Sequence, residues 1–252
     1  MPPGSVVVTG ANRGIGLGLV RQFLKDSQIN HIIATARNPD KANELRSIND
    51  KRLHLLPLDV DCDKSIVKFV DNVKNVVGDK GLNLLVNNAG IFTPYEPKQT
   101  PDRSLVAKQL DTNVTSVIIL TQHLLPLITQ AAIKNGAGPE KMSIDRAAVI
   151  VIGSQLGSIS QNKRGSSNLK SLVYGVSKAA IHQFVKTISI DLKNDGILTA
   201  SFHPGWVQTD MGGPHGPLTV EQSTSALVES FAKLNERHSG GLYDPEFSTI
   251  TF

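Results

Sequence analysis

Six short runs rich in Val, Ile and Leu alternate along the chain with longer stretches of helical periodicity. Apolar runs of about four to eight residues read as strands, and apolar positions recurring at i, i+3 and i+4 read as helices. Ser5–Thr9, His31–Ala36, Leu53–Leu58, Leu82–Asn87, Ala147–Ile152 and Leu198–His203 are predicted strands, with a short seventh at Gly241–Tyr243. Helices are predicted over about Ile15–Lys25, after Pro39, and over about Lys64–Val77, Ser104–Ile133, Leu172–Lys193 and Glu221–Asn235. Pro126 lies inside the longest and is expected to kink or break it, because proline brings no N–H to the helix ladder. Strands joined by helices of this length favour a parallel sheet covered on both faces. With right-handed crossovers the prediction is an α/β fold, a Rossmann-type doubly wound parallel sheet in three layers, with its ligand crevice at the carboxyl ends of the strands. No repeat or linker divides the chain, so residues 1–252 are expected to form a single domain. Asn135–Glu140, Ser158–Ser171 and Gly212–Pro217 read as surface loops.

Charge and cysteine content narrow the partners. The net charge is +4, but the basic residues are scattered, and neither adjacent pair, Lys51-Arg52 or Lys163-Arg164, is interleaved with aromatics. Nucleic acid is therefore not an expected partner. No segment approaches the ~18 apolar residues of a membrane span. Cys62 is the only cysteine, which fits a reducing compartment, and the start Met1–Ser5 has neither the basic region nor the apolar run of a signal peptide. Cytoplasm is the expected location. No metal site is expected.

Thr9-Gly10-Ala11-Asn12-Arg13-Gly14-Ile15-Gly16 joins the first strand to the first helix. Glycines there permit a tight turn and close approach of the backbone to a pyrophosphate, and the helix N-terminus adds free N–H groups. The spacing is neither the commonest dinucleotide fingerprint nor an ATP/GTP loop. A site for NAD usually carries an acid at the end of the second strand. This strand ends Ala34-Thr35-Ala36-Arg37 instead. Arg37, with Arg13 opposite, suits a 2′-phosphate, so NADP(H) is the expected cofactor.

Tyr174 and Lys178 stand four residues apart at the start of a predicted helix, hence on one face. A phenol of unperturbed pKa near ~10 is a poor proton shuttle at neutral pH. A nearby ammonium, together with the positive charge of an oxidised nicotinamide ring, is expected to favour phenolate and lower that value. Alone the pair is weak. It gains weight from its place after the Gly-rich loop and after Ser154, which ends the fifth strand.

Taken in order, these pieces resemble the short-chain dehydrogenase/reductase family over nearly the whole chain. The matching elements are Thr9-Gly10-x3-Gly14-Ile15-Gly16, Leu58-Asp59-Val60, Asn87-Asn88-Ala89-Gly90, Asn113, Ser154, Tyr174-x3-Lys178 and Pro204-Gly205-Trp206-Val207-Gln208-Thr209. Thr35–Pro39 and Gly240–Asp244 add a narrower likeness to sniffer-type carbonyl reductases and their bacterial C-factor relatives. The resemblance implies roles. Gly10, Asn12, Arg13, Gly14, Ile15 and Gly16 would hold the phosphates. Asp59 and Val60 would bind adenine. Asn88, Ala89 and Gly90 would line the ribose side. Pro204, Gly205, Val207 and Thr209 would bind the nicotinamide end, with Val207 and Thr209 anchoring the carboxamide. Ser154 would orient the substrate carbonyl, Tyr174 would protonate its oxygen, and Lys178 would hold the nicotinamide ribose. Asn113 would keep a water that relays protons to Lys178.

The chain departs from the family at Gly153, where a second serine is common, and in a long connection from Ser154 to Tyr174 through Ser158–Ser171. Asn135–Arg146 is a second long connection, expected to lie away from the site. Gln155, Leu156, Trp206 and Met211–Pro217 are candidate substrate contacts, with His215, Phe92 and Tyr95 beside them. The expected activity is NADPH-dependent reduction of aldehydes, ketones or quinones. An alcohol, steroid or retinoid dehydrogenase working oxidatively, and an NADPH-sensing binding protein with little turnover, stay open beside it. By analogy with the family, a homodimer or homotetramer is expected through the helices near Ser104–Leu125 and Leu172–Lys193.

Overall fold

The computed structural model describes residues 1–166 and 169–252, so Ser167 and Asn168 of the expected Ser158–Ser171 loop lie outside the described residues. Val, Ile and Leu fill the strands because the sheet is buried on both faces, where β-branched and aliphatic side chains pack best. The strands are β1 Ser5–Val8, β2 His31–Ala36, β3 Leu53–Pro57, β4 Leu84–Asn87, β5 Ala148–Ile152, β6 Leu198–Phe202 and β7 Leu242–Tyr243. All neighbouring pairs are parallel, and the order across the sheet is β3-β2-β1-β4-β5-β6-β7. The order reverses between β1 and β4, where Val6 pairs with Ile32 on one side and with Leu84 on the other. In a doubly wound sheet that reversal opens the ligand crevice.

Alternation along each strand divides the apolar residues between two cores. Val6, Val8, Ile32, Ala34 and Ile150 face one core, which is closed by α1 (Gly14–Leu24), the single turn α2 (Asn43–Arg46) and α7 (Val220–Phe231). Val7, Ile33, Val149 and Val151 face the other, covered by α3 (Asp63–Val77), α5 (Ser116–Lys134) and α6 (Leu172–Asp191). The three expected layers and the single domain therefore follow from the period-2 pattern itself.

One expectation about the longest helix is corrected. The break falls not at Pro126 but at Asp111–Thr115, one turn of π-helix between α4 (Arg103–Leu110) and α5. Pro126 sits exposed inside an unbroken α5, so the carbonyl it leaves without an N–H faces water. The Arg103–Lys134 stretch is long and apolar enough to cross a membrane by length and composition alone, a test that a buried core helix also passes. Half of its most apolar window is buried, with Leu120, Leu124 and Ile128 packed on the sheet.

Candidate active site

The carboxyl ends of β1 to β6 open on one cleft of some 1670 Å³. Pockets for drug-sized ligands measure roughly 300–1,000 Å³, so a dinucleotide and a second molecule fit together. Of the catalytic and cofactor-binding residues expected from the sequence, all but Asn113 line it.

One end is built from the turn between β1 and α1. Gly10 has φ +62°, and a Cβ on Gly16 would come 2.6 Å from Asn88 Nδ2, so only glycine fits this loop. Arg13 precedes α1 without capping it by its side chain, and the first turn holds no acid. The first N–H groups of α1 and the positive end of its dipole thus face the cleft. Two threonines brace the loop. Thr9 Oγ1 accepts the amides of Asn88 and Ala89 at 2.9 Å each, and Thr35 Oγ1 accepts the Gly10 amide at 3.2 Å. Both threonines stand in stretches that the sequence singled out, but their bracing role could not be read there.

Arg37 and Asp59 line the same end. Asp59 Oδ1 also accepts the Asp61 amide at 3.2 Å, closing the turn after β3. Arg13 ion-pairs with Asp210 instead of standing free opposite Arg37. Asp210 follows Thr209, which itself packs on the loop, with its Cγ2 3.3 Å from where a Gly14 Cβ would be. The segment after β6 therefore straps across the Gly-rich loop, an arrangement that needs residues 197 apart in sequence to meet.

The other end carries Ser154, Tyr174 and Lys178. Ser154 caps the short turn after β5, its Oγ accepting the Leu156 amide at 3.2 Å. Tyr174 and Lys178 lie on the first turns of α6, and Lys178 Nζ stands 5.5 Å from the centre of the Tyr174 ring. Lys178 Nζ donates to the Ile152 carbonyl at 2.7 Å. Burial pushes the Lys178 ammonium down to about 8. The expected lowering of the Tyr174 phenol is not found. Burial pushes it up to about 12, against the smaller opposing effect of its hydrogen bond with Ser154. Burial disfavours the charged phenolate, and this is the larger of the two effects.

Asn113 sits behind the cleft on the π turn, 2% exposed. Its Oδ1 accepts the Ile91 amide at 2.8 Å, and its Nδ2 donates to the Ile91 carbonyl at 2.9 Å and to Ser177 Oγ at 3.1 Å. The side chain thus clamps the loop after β4 to α6. Phe92 meets the Tyr174 ring edge-on, with centroids 5.2 Å apart. Tyr95 lies outside the cleft lining and accepts the Asp102 amide through its hydroxyl. His215 is exposed and also outside it. Gln155, Leu156, Trp206 and Met211 do line the cleft. Among the described residues, six of the twelve exposed large apolar side chains rim this opening: Ile159, Leu169, Leu172, Val176, Trp206 and Met211. No cluster of His, Cys, Asp and Glu that could hold a metal occurs among the described residues.

Comparison with known proteins bears on this arrangement. A family model described as short chain dehydrogenase matches residues 5–217. The crystal structure of Sniffer of Caenorhabditis elegans is 52% identical, covers all of both chains and superposes with a TM-score of 0.93. The carbonyl reductase Sniffer of Drosophila melanogaster is 36% identical with a TM-score of 0.94, covering 99% of this chain and 100% of its own. An NADPH-bound carbonyl reductase from chicken fatty liver is 33% identical with a TM-score of 0.94, covering 100% and 95%.

Proposed function

The chain belongs to the short chain dehydrogenase family of oxidoreductases, and from that premise we propose that it reduces bulky apolar carbonyl compounds with NADPH. The observation that carries this reading is the meeting of Ser154, Tyr174 and Lys178 at one end of a cleft whose other end is the open N-terminus of α1.

The cradle fits a dinucleotide. Glycine is required at Gly10 and Gly16, and no acid stands at the end of β2, where Arg37 is free to meet a 2′-phosphate. Bound NADPH supplies the hydride. The α1 N-terminus and residues Gly10–Gly16 hold the pyrophosphate. Asp59 and Val60 take the adenine, Asn88–Gly90 the ribose side, and Pro204, Gly205, Val207 and Thr209 the carboxamide end. Arg13 would exchange its exposed Asp210 partner for the phosphate, a substitution that costs little because surface ion pairs are worth about 0–1 kcal/mol.

Ser154 orients the carbonyl oxygen and Tyr174 gives it a proton. A phenol with its pKa near 12 is protonated at neutral pH, the state a general acid needs. Lys178 holds the nicotinamide ribose. Asn113, the expected anchor of a relay water, directs its side chain to Ile91 and Ser177 and so ties the loop after β4 to the helix that carries Tyr174 and Lys178. The apolar rim favours aromatic and long-chain ketones, aldehydes and quinones over small polar ones.

An NADPH-oxidation screen over quinones, aldehydes, diketones and steroids tests this reading, with Tyr174→Phe as control. Turnover of apolar carbonyls that vanishes in the variant supports it. Tight NADPH binding without turnover of any carbonyl would favour a regulatory binding protein.

A further inference from the structure

The face of α6 that carries Tyr174 and Lys178 continues by one more turn to His182, at i+8, which takes no part in the proposed chemistry. His182 is 2% exposed. Its ring stands between two glycines that bracket Ser154. A Cβ on Gly153 would come 2.6 Å from His182 Nε2, and a Cβ on Gly157 would meet the α6 backbone first, 2.6 Å from the Lys178 carbonyl carbon, and then His182 Cε1 at 2.8 Å. Real Cβ atoms do not approach so closely, so the turn reaches the imidazole only because both positions are glycine. Between them, the Ser154 amide donates to His182 Nε2 at 3.4 Å. The turn closes on itself as well, with the Gly157 amide donating to the Ser154 carbonyl at 3.0 Å.

Successive turns of one helix thus hold both ends of this segment. Lys178 takes the Ile152 carbonyl and His182 takes the Ser154 amide. The imidazole can accept because burial, and then the charge of Lys178, push its pKa down to about 4. The Phe252 ring packs beside it, with centroids 6.0 Å apart.

We infer that His182 is a positioning residue of this active site: wedged between Gly153 and Gly157, it fixes the backbone that carries Ser154 and so sets where the Ser154 hydroxyl stands. The inference rests on the proposed role of Ser154 in orienting the carbonyl. It also accounts for the glycine at 153. The imidazole occupies the space a serine side chain would need.

Two substitutions separate the acceptor from the bulk. His182→Gln keeps an acceptor near the Nε2 position, whereas His182→Leu fills the space without one. His182→Leu should lower kcat about ten- to a hundredfold, as small misplacements of a catalytic group do. NADPH affinity, read by titration, should stay within about twofold, the pattern of an interaction lost in the transition state. His182→Gln should recover most of the loss. Equal losses in the two variants, or an undiminished kcat in His182→Leu, would overturn the inference. If His182→Leu does not fold, Gly153→Ser tests the wedge from the other side. Alone it should depress kcat by meeting the ring. Combined with His182→Ala it should cost nothing beyond His182→Ala alone, since the space is freed and Ser201 Oγ lies 3.4 Å from the new Cβ as a partner for the hydroxyl. Additive losses would count against the wedge. Ser154→Ala serves as the control on the premise. Full kcat there removes the proposed role of Ser154 and this inference together, whereas the His182 outcomes strike this inference alone.

Discussion

At the scale of single residues, burial decides the protonation states that matter. Tyr174 is held as phenol, and Tyr174→Phe should cut carbonyl turnover by about a hundredfold or more, the worth of general acid catalysis, while NADPH still binds. Arg37→Ala should weaken NADPH by about ten- to a hundredfold, the worth of a charge-assisted hydrogen bond, and leave NADH nearly unchanged. Comparing the two dissociation constants checks it, and equal losses would remove the 2′-phosphate role. His182 and His203 are both pushed down to about 4, by burial first. The unfolded chain protonates histidine near ~6.5, so between these values it binds more protons than the folded chain does. Stability is therefore intact above about pH 6.5 and drains as pH falls towards 4, by about 1.4 kcal/mol per pH unit for each histidine. Melting temperatures measured from pH 7 to 5 should fall, and His203→Gln should make the fall shallower. None of this could be read in the sequence, where these histidines carry no sign of burial. The glycines and the Tyr174–Lys178 spacing were legible because they are local. The Arg13–Asp210 pair was not, because it depends on how the chain returns after β6.

Elements follow the same division between local and distant causes. Both cores were implied by apolar alternation, since a strand buried on two faces must be apolar throughout. Strand ends shifted by a residue or so, and the helix after β2 shrank to a 3-10 turn at Pro39–Lys41 followed by α2. The misplaced break in the longest helix has a clear origin. Proline announces itself in a sequence, whereas a π turn does not. Asp111–Thr115 is set instead by what surrounds Asn113, whose side chain reaches Ile91 and Ser177 from other elements. Because Pro126 is exposed and α5 runs through it, Pro126→Ala should restore a ladder hydrogen bond and raise stability by about 1–2 kcal/mol. Chemical denaturation checks this. A loss of stability would mean that the proline shapes α5 after all.

For the molecule as a whole, the sheet places every expected catalytic and cofactor-binding residue but one on a single opening, and the topology needed for that was the most legible property of the chain. Assembly belongs to the same scale. Leu105 and Ile190 are 38% and 65% exposed on α4 and α6, within the helical stretches of the expected homodimer or homotetramer. Light scattering on the eluted protein should then give two or four times 27.1 kDa, and a value of 27.1 kDa would reject association. The strap that returns after β6 bears the only tryptophan, Trp206, half-exposed on the cleft rim with its indole N–H donating to Gly212. The protein therefore carries its own optical reporter. Its tryptophan emission comes from one point, beside the place where a nicotinamide and a carbonyl compound would meet. Occupancy of the cleft can be followed as a change in the intensity and wavelength of that emission, without a dye, on the unmodified chain.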